Sequence, residues 1–339
     1  MDFQFSEEQQ ELRGMARSFL EEAAGPEQTR SAMETPLGYD EEVWSQIATE
    51  LGWPSVHIPE AYGGLGLEHV DLAVLLEACG EALLCAPFFS TVALAANAIL
   101  EIGNESQKSE YLSAIAEGQL TATLAFAEKS GDWDAEGIET TATPDGDAFI
   151  LDGHKHWVLD GQSAQLLLIA ARAPGSRAEQ GLSVFAIPGD AKGLTRKGLV
   201  TMDQTRRLAE IELSGVRVEA SACLGTAGAA WPGLRRALDL AAIALAAEQV
   251  GGAQRCLDMA VAYAKERKQF GHPIGSFQAI KHKCANMMLA VETARSALYY
   301  AACIATDGSD DLTTNASLAK GWCSEAYFQC AADSIQIHG

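Results

Sequence analysis

Positive charge is scarce in this 339-residue sequence: 24 Lys and Arg stand against 46 Asp and Glu, a formal net charge of −22. Phosphate contacts need clustered basic side chains, so the balance excludes a duplex nucleic-acid binder and electrostatic docking on anionic lipid. No apolar stretch stays free of charge for about 18 residues, which leaves no membrane-spanning candidate. The opening MDFQFSEEQQ has no basic region followed by an apolar run, so no secretory signal is read there and a cytosolic location is expected. The eight cysteines (79, 85, 223, 256, 284, 303, 323 and 330) form no Cys-x-x-Cys pair and sit in apolar helical contexts. They read as reduced core residues, and no metal is expected. There is no internal repeat, no Walker loop and no Gly-x-Gly-x-x-Gly after a strand. A bound nucleotide would need another device.

What is present is apolar surface in two different periods. Hydrophobic side chains make up 48% of the chain, enough for a large globular core in two or three domains. Ser6 and Gln9 form a capping box, and Leu12, Met15, Ala16, Phe19 and Leu20 recur at helical spacing on one face. Further helices are expected over residues 41–51, after the glycines at 63, 64 and 66, over 88–100 and over 106–117. From about Thr121 short β-rich runs take over, with Asp152-Gly153, Asp160-Gly161 and Pro188-Gly189 as turn and hairpin signals. Helical periodicity returns after Gly225, over 230–268, 276–306 and 312–337, with a break at Gly271 and Pro273. Helices, then strands, then helices predict three sequential domains rather than alternating βαβ units: an all-α domain over 1–120, a β-domain over 121–226 and a second helical domain over 227–339.

Three stretches carry chemistry. IPEAYGGLG (58–66) is similar to a Pro-Glu-x-Tyr-Gly-Gly-x-Gly signature, and DGHKHWVLDG (152–161) to an Asn-Gly-x-Lys-x-Trp-Ile-Thr-Asn-Gly hairpin. ERKQFGHPIGSFQAIKHK (266–283) resembles an Arg-x-x-Phe-Gly-x-x-Ile-x-x-x-Gln loop, and is the most specific of the three. Together they make the chain resemble the acyl-CoA dehydrogenase family over essentially its whole length.

That resemblance implies a multidomain α+β fold, with an N-terminal helical domain, a central β-barrel and a C-terminal four-helix bundle, and it implies FAD. In relatives the third stretch reaches across a dimer interface to the adenosine diphosphate half of the neighbour's FAD. Arg267 would then face the pyrophosphate, to which a planar guanidinium is suited. Phe270, Ile274 and Phe277 would wall the adenosine, and Gln278, with Gln269 in the same stretch, would complete the contact. Gln336 and Gly339 match the start of the family's Gln-x-x-Gly-Gly cofactor motif, and Trp157 matches the tryptophan near the flavin. The implied chemistry is α,β-dehydrogenation of an acyl-CoA thioester: a carboxylate removes the α-proton and a hydride leaves the β-carbon for the flavin. Electrons would pass on to an electron-transfer flavoprotein. A dimer or tetramer, with itself or a related dehydrogenase subunit, is expected, without nucleic acid or membrane.

The chain departs from the family pattern at defined places. The flavin-side motif Thr-Glu-Pro-Gly-Ala-Gly-Ser-Asp reads here Ala127-Glu128-Lys129-Ser130-Gly131-Asp132-Trp133-Asp134, so a flavin-bonding threonine is Ala127 and a substrate-side serine is Trp133. A second threonine is Leu159, and the catalytic glutamate found on the long helix of some relatives is Ala241. Other relatives carry that glutamate beyond the position of Gly339. Glu248, seven residues on from Ala241 and ~10 Å further along the helix, is the substitute base considered, and Asp239, just before the usual position, is the other candidate. These departures resemble the shorter subunits of heteromeric steroid-degrading enzymes. The alternatives are an ordinary homo-oligomeric enzyme, a non-catalytic partner subunit that supplies the adenosine half of the FAD site, and an oxygen-using flavin monooxygenase on the same fold.

Overall fold

The capping box starts the first helix as the residues require. Ser6 Oγ accepts from the Gln9 amide at 3.2 Å, and Gln9 Oε1 accepts from the Ser6 amide at 3.1 Å, so two amides at the helix start are satisfied reciprocally. The computed structural model describes residues 5–309 and 311–339. In α1 (Glu7–Ala23), Ala16 and Leu20 are buried, but Met15 is exposed rather than on the apolar face. The packed face is rotated toward Arg17, whose Nε bonds Glu81 at 2.8 Å. After α2 (Pro26–Glu34), α3 (Glu41–Ser45) widens into π turns over Gln46–Glu50. The IPEAYGGLG stretch then makes a tight turn that needs Gly64: a Cβ there would stand 1.9 Å from the Ile58 carbonyl oxygen. The helices α4 (His69–Ala82), α5 (Asn97–Ile102, preceded by π turns over Phe89–Ala96) and α6 (Glu105–Ala116) complete the N-terminal set.

Seven strands follow: β1 (Ala122–Ala125), β2 (Thr141–Asp145), β3 (Ala148–Leu159), β4 (Leu166–Arg172), β5 (Leu182–Pro188), β6 (Leu194–Gly198) and β7 (Leu208–Glu219). They form one curled sheet in the order β1-β4-β2-β3-β7-β6, with β5 paired to β4, and this is the form the expected barrel takes. Asp152-Gly153 does not turn the chain. It lies inside β3 at a bulge opposite β7, because Gly153 leaves room for Thr140, whose Oγ1 would be 2.5 Å from a Cβ at 153. The hairpin between β2 and β3 turns at Asp145–Ala148 instead. The last elements are α7 (Trp231–Glu266), the two-residue strands β8 (Lys268–Gln269) and β9 (His272–Pro273), α8 (Gln278–Asp307) and α9 (Leu312–His338).

By packing, the chain forms two compact units. One holds the described residues of Met1–Thr29, Glu68–Leu84 and Asp239–Gly339; the other holds Arg30–Leu67 and Cys85–Leu238. In the first, α4 and α7 cross with backbones in contact, since a Cβ on Gly251 would stand 1.9 Å from the Glu77 carbonyl oxygen and one on Gly80 2.0 Å from that of Glu248. Its core gathers Ala253, Leu257, Ala260, Met287, Val291, Cys330 and Ile337 from α7, α8 and α9. In the second unit, Leu167, Ile169, Phe185 and Ile211 fill the sheet interior. Its outer face packs on Ile99, Leu112 and Ile115. No helix among the described residues is long and apolar enough to cross a membrane. All eight cysteines are free thiols, five of them buried.

Candidate functional site

The residues expected to meet a dinucleotide diphosphate lie at one end of the helical unit. Strands β8 and β9 pair Lys268 with Pro273 and Gln269 with His272, leaving Phe270-Gly271 as a two-residue turn with φ +52° and +78°. Positive φ at both positions is the type I′ geometry that ordinarily selects Asn-Gly. Phe270 holds it while 89% exposed. A bulky side chain in the left-handed region costs about 1–3 kcal/mol, and neither burial nor turn chemistry explains an aromatic there. Phe277 meets it edge-on with ring centroids 6.2 Å apart. The hairpin is closed by the Ile274 amide, which donates to the Arg267 carbonyl at 2.7 Å, and Ile274 packs into the helical core. The Arg267 guanidinium meets no acceptor among the described residues.

Tyr263, one turn before Arg267, stacks on His338 with centroids 4.4 Å apart. The hairpin base and the C-terminal end of α9, with exposed Gln336 and Gly339, are therefore neighbours. Gln278 opens α8 and is also exposed. Residues 265–283 carry Lys265, Arg267, Lys268, Lys281 and Lys283 against one acid, Glu266, in a chain whose acids outnumber its bases almost twofold. Lys283 is tied to Asp333. An exposed cation, two exposed phenyl rings and local positive charge suit an anionic aromatic nucleotide, so the residues present fit the adenosine half of FAD.

The two carboxylates considered on α7 are placed differently from that end. Asp239 is buried and accepts from Thr313 Oγ1 at 2.6 Å. Glu248 is 8% exposed at the backbone crossing of α4 and α7. Eighteen residues of helix separate it from Glu266, roughly 27 Å along the axis. Ala241, where some relatives carry the base, is buried.

In the other unit the Asp152–Gly161 stretch presents Trp157. Pairing of β3 with β7 slips between Lys155 and Val158, and within that bulge Trp157 takes φ +53° with its indole 47% exposed. A bulge re-aims one side chain without ending the strand, and here it turns a tryptophan outward. A Cβ on Gly131 would stand 3.8 Å from the indole, so Trp157 lies beside the 127–134 loop. The loop joins β3 through the Ala127 carbonyl, which accepts from the His156 amide at 3.0 Å. Ala127 and Leu159 supply no hydroxyl. Thr123 Oγ1 is committed to the Leu159 carbonyl at 2.6 Å.

Lys155 was legible only as a motif letter, yet it organises this region. Fully buried, its Nζ donates to Glu128 Oε1 at 2.6 Å and to the Phe126 carbonyl at 3.3 Å. Glu128 Oε1 also accepts from the Thr140 amide at 2.9 Å. Burial pulls the Lys155 ammonium down to about 8, opposed by the Glu128 charge. The carboxylate is held below its usual range, its own burial being outweighed by the Lys155 charge and the hydrogen bonds it accepts. A second network missed by the sequence reading lies in the helical unit. Glu77 accepts from Arg295 Nη2 at 3.1 Å and from Tyr299 Oη at 2.7 Å, and Arg295 also donates to Gln254 Oε1 at 2.8 Å. No spacing rule pairs residues 218 positions apart.

Comparison with known proteins gives continuous matches. Residues 6–119, 123–216 and 231–339 match the N-terminal, middle and C-terminal domain models described as acyl-CoA dehydrogenase. The chain is 35% identical over 334 residues to the acyl-CoA dehydrogenase IpdE2 of Mycolicibacterium smegmatis, covering 98% of this chain and 87% of that one. The structure of butyryl-CoA dehydrogenase from Megasphaera elsdenii matches with a TM-score of 0.92 at 29% identity, covering 100% and 90% of the two chains. A structure described as the Tcur3481–Tcur3483 steroid ACAD G363A variant matches with a TM-score of 0.87 at 34% identity, covering 98% and 87%.

Proposed function

Because the chain belongs to the acyl-CoA dehydrogenase family, whose cofactor is FAD, we propose that it works in α,β-dehydrogenation of an acyl-CoA thioester at FAD sites shared between subunits. The observation that carries this reading is the hairpin. It keeps an exposed phenylalanine in a strained turn beside an arginine that meets no acceptor among the described residues. FAD, when bound, supplies the hydride acceptor. Arg267 would hold the pyrophosphate. Phe270, Ile274 and Phe277 would wall the adenosine, Gln269, Gln278, Gln336 and Gly339 would close around it, and Trp157 would stand on the flavin side. The reading as a non-catalytic partner is not favoured, since all three domains match those of acyl-CoA dehydrogenases.

The finer reading is a cytoplasmic dimer or tetramer with a related dehydrogenase subunit, delivering electrons to an electron-transfer flavoprotein. A relative described by two components and as steroid-acting supports pairing and a ring-bearing substrate. Ala241 leaves α7 without a carboxylate at the position used by some relatives, and Glu248 is read as a packing carboxylate because a backbone crossing encloses it. Glu248→Gln is therefore expected to leave turnover of the assembled enzyme within about twofold, whereas losing a general base costs roughly 10²- to 10⁴-fold. A loss of that size at unchanged thermal stability would make Glu248 the base.

Hairpin variants test the main proposal. Arg267→Ala removes charge-assisted bonds worth roughly 1.5–3 kcal/mol, so FAD affinity of the assembly should fall about 10- to 150-fold, read as flavin absorbance retained after dialysis. Phe270→Asn suits the type I′ turn better while removing the ring, and it too should lower retention. Unchanged flavin content in both variants would reject the assignment.

A further inference from the structure

The residues assigned to the adenosine half come from two separate pieces of chain, the stretch from Arg267 to Gln278 and the end of α9 with Gln336 and Gly339. Only a fixed spacing between the pieces lets them meet one ligand, and Tyr263 joins them. Its carbonyl accepts from the Arg267 amide at 2.8 Å, so it forms the helical turn beneath Arg267, and its half-buried ring stacks on His338 with planes 26° apart. The imidazole is fixed in turn by a bond of 2.8 Å between Nδ1 and the Ser334 carbonyl. A carbonyl can only accept, so Nδ1 carries the proton there. On the other side Lys283, in the second turn of α8, pairs with Asp333, which also accepts from Gln329 Nε2 at 2.8 Å. The last turns of α9 are thereby pinned to α7 by one contact and to α8 by the other, with Gln336 between the two anchor points.

Stability does not call for these braces. His338 is exposed and the Lys283 side chain is 40% exposed, so neither buries much apolar surface, and pairs of that exposure contribute little to folding. The end of a helix frays unless something holds it, and holding it beforehand removes an ordering cost that a ligand otherwise meets on binding. Resting on the reading that FAD binds here through its adenosine half, we propose that Tyr263 and His338 are positioning residues that act as one unit. Their stack sets Gln336 and Gly339 at a fixed place relative to Arg267 and so prepares the site for the adenosine diphosphate part of the dinucleotide. A ligand that carries this part should feel the loss of the stack whether or not a flavin is attached.

The test uses the full chain, with any dehydrogenase subunit that accompanies it, stripped of FAD. ADP binding is measured by calorimetry and FAD binding by quenching of flavin fluorescence, for wild type, Tyr263→Leu, Tyr263→Phe, His338→Leu and the double variant Tyr263→Leu/His338→Leu, with Arg267→Ala alongside. Tyr263→Leu should weaken ADP and FAD alike by about three- to tenfold, the worth of one aromatic pair. Tyr263→Phe keeps the stack and should bind as wild type does. His338→Leu should match Tyr263→Leu, and the double variant should be no weaker than either single one, because one brace is lost only once. Should Tyr263→Leu not fold, His338→Leu decides by the same criterion, since its side chain is exposed. If Tyr263→Leu and His338→Leu bind both nucleotides as wild type does while Arg267→Ala does not, the positioning role falls and the FAD reading stands. A lower melting temperature at unchanged affinity would make the stack a packing contact and also overturn that role. Additive losses in the double variant would mean that each ring meets the nucleotide separately, which overturns the single unit. If wild type takes up neither ADP nor FAD, both readings fall.

Discussion

Arg295→Met is expected to lower the unfolding free energy of the chain by about 3–5 kcal/mol, the cost of stranding a buried charge. Glu77 is 1% exposed, and Arg295 is the basic side chain paired with it. Nε and Nη2 of Arg295 both reach Glu77 Oε1, at 3.2 and 3.1 Å, and Tyr299 occupies the other oxygen. Burial and the neighbouring Glu77 charge hold the Tyr299 hydroxyl well above its usual range, so tyrosine stays a neutral donor and cannot replace the cation. The backbone at Glu77 is pressed against Gly251, which prevents the side chain from swinging out to water. Differential scanning calorimetry should show a drop in melting temperature on the order of ten degrees. The double variant Glu77→Leu/Arg295→Met removes both charges and should recover most of the loss. Equal losses in single and double variants would mean that packing, and not charge, explains the site.

Lys155→Met should cost a similar amount, about 3–5 kcal/mol, with a pH dependence that identifies its cause. In the wild type Glu128 is held below the usual carboxylate range, so its contribution is present at neutral pH and lost as pH falls through its folded value. Without the ammonium, burial alone acts on Glu128 and raises it above its unfolded value, apart from the Thr140 amide bond. A group raised in the folded state stabilises at low pH and loses that contribution as pH rises. The gap between wild type and Lys155→Met should therefore narrow from pH 7.5 to pH 5. Lys155 works on the alkaline side. With its folded value near 8 against 10.5 in the unfolded chain, the unfolded state holds the extra proton between them, so this group alone favours folding as pH rises through that window. Urea unfolding at several pH values measures both effects, and a pH-independent gap would sink the account. Loss of the Lys155 anchor should also loosen the Trp133 loop, visible as a shift in tryptophan emission.

The parts of the candidate site that could be proposed from sequence are those built from residues close together along the chain. Arg267, Phe270, Ile274, Phe277 and Gln278 span twelve positions at the end of one helix and the start of the next, and the pattern survives because a tight hairpin needs Gly271 and a break before α8. Trp157 was legible for the same reason. The parts that were not legible depend on pairing across long separations. Glu128 finds Lys155 only when β3 lies against the segment leaving β1, and Glu77 finds Arg295 only when α4 meets α8. Asp152-Gly153 carries the composition of a turn, but β7 pairs on both sides of it, and ladder hydrogen bonds outweigh a two-residue preference.

Periodicity by itself determined the helical, β and helical order, the breaks at Gly64 and Gly271, and the capped start of α1, because each rests on local backbone conformation and on which face of one element is apolar. The resemblance to the acyl-CoA dehydrogenase family came separately, from motifs that are contiguous in the chain. Only the tertiary structure decided that Met15 points outward, that Trp157 and Phe270 sit exposed in left-handed conformations, and that Lys155 and Glu77 are buried charges with partners. A side chain's solvation depends on what packs over it, and the sequence of one element does not contain its neighbour.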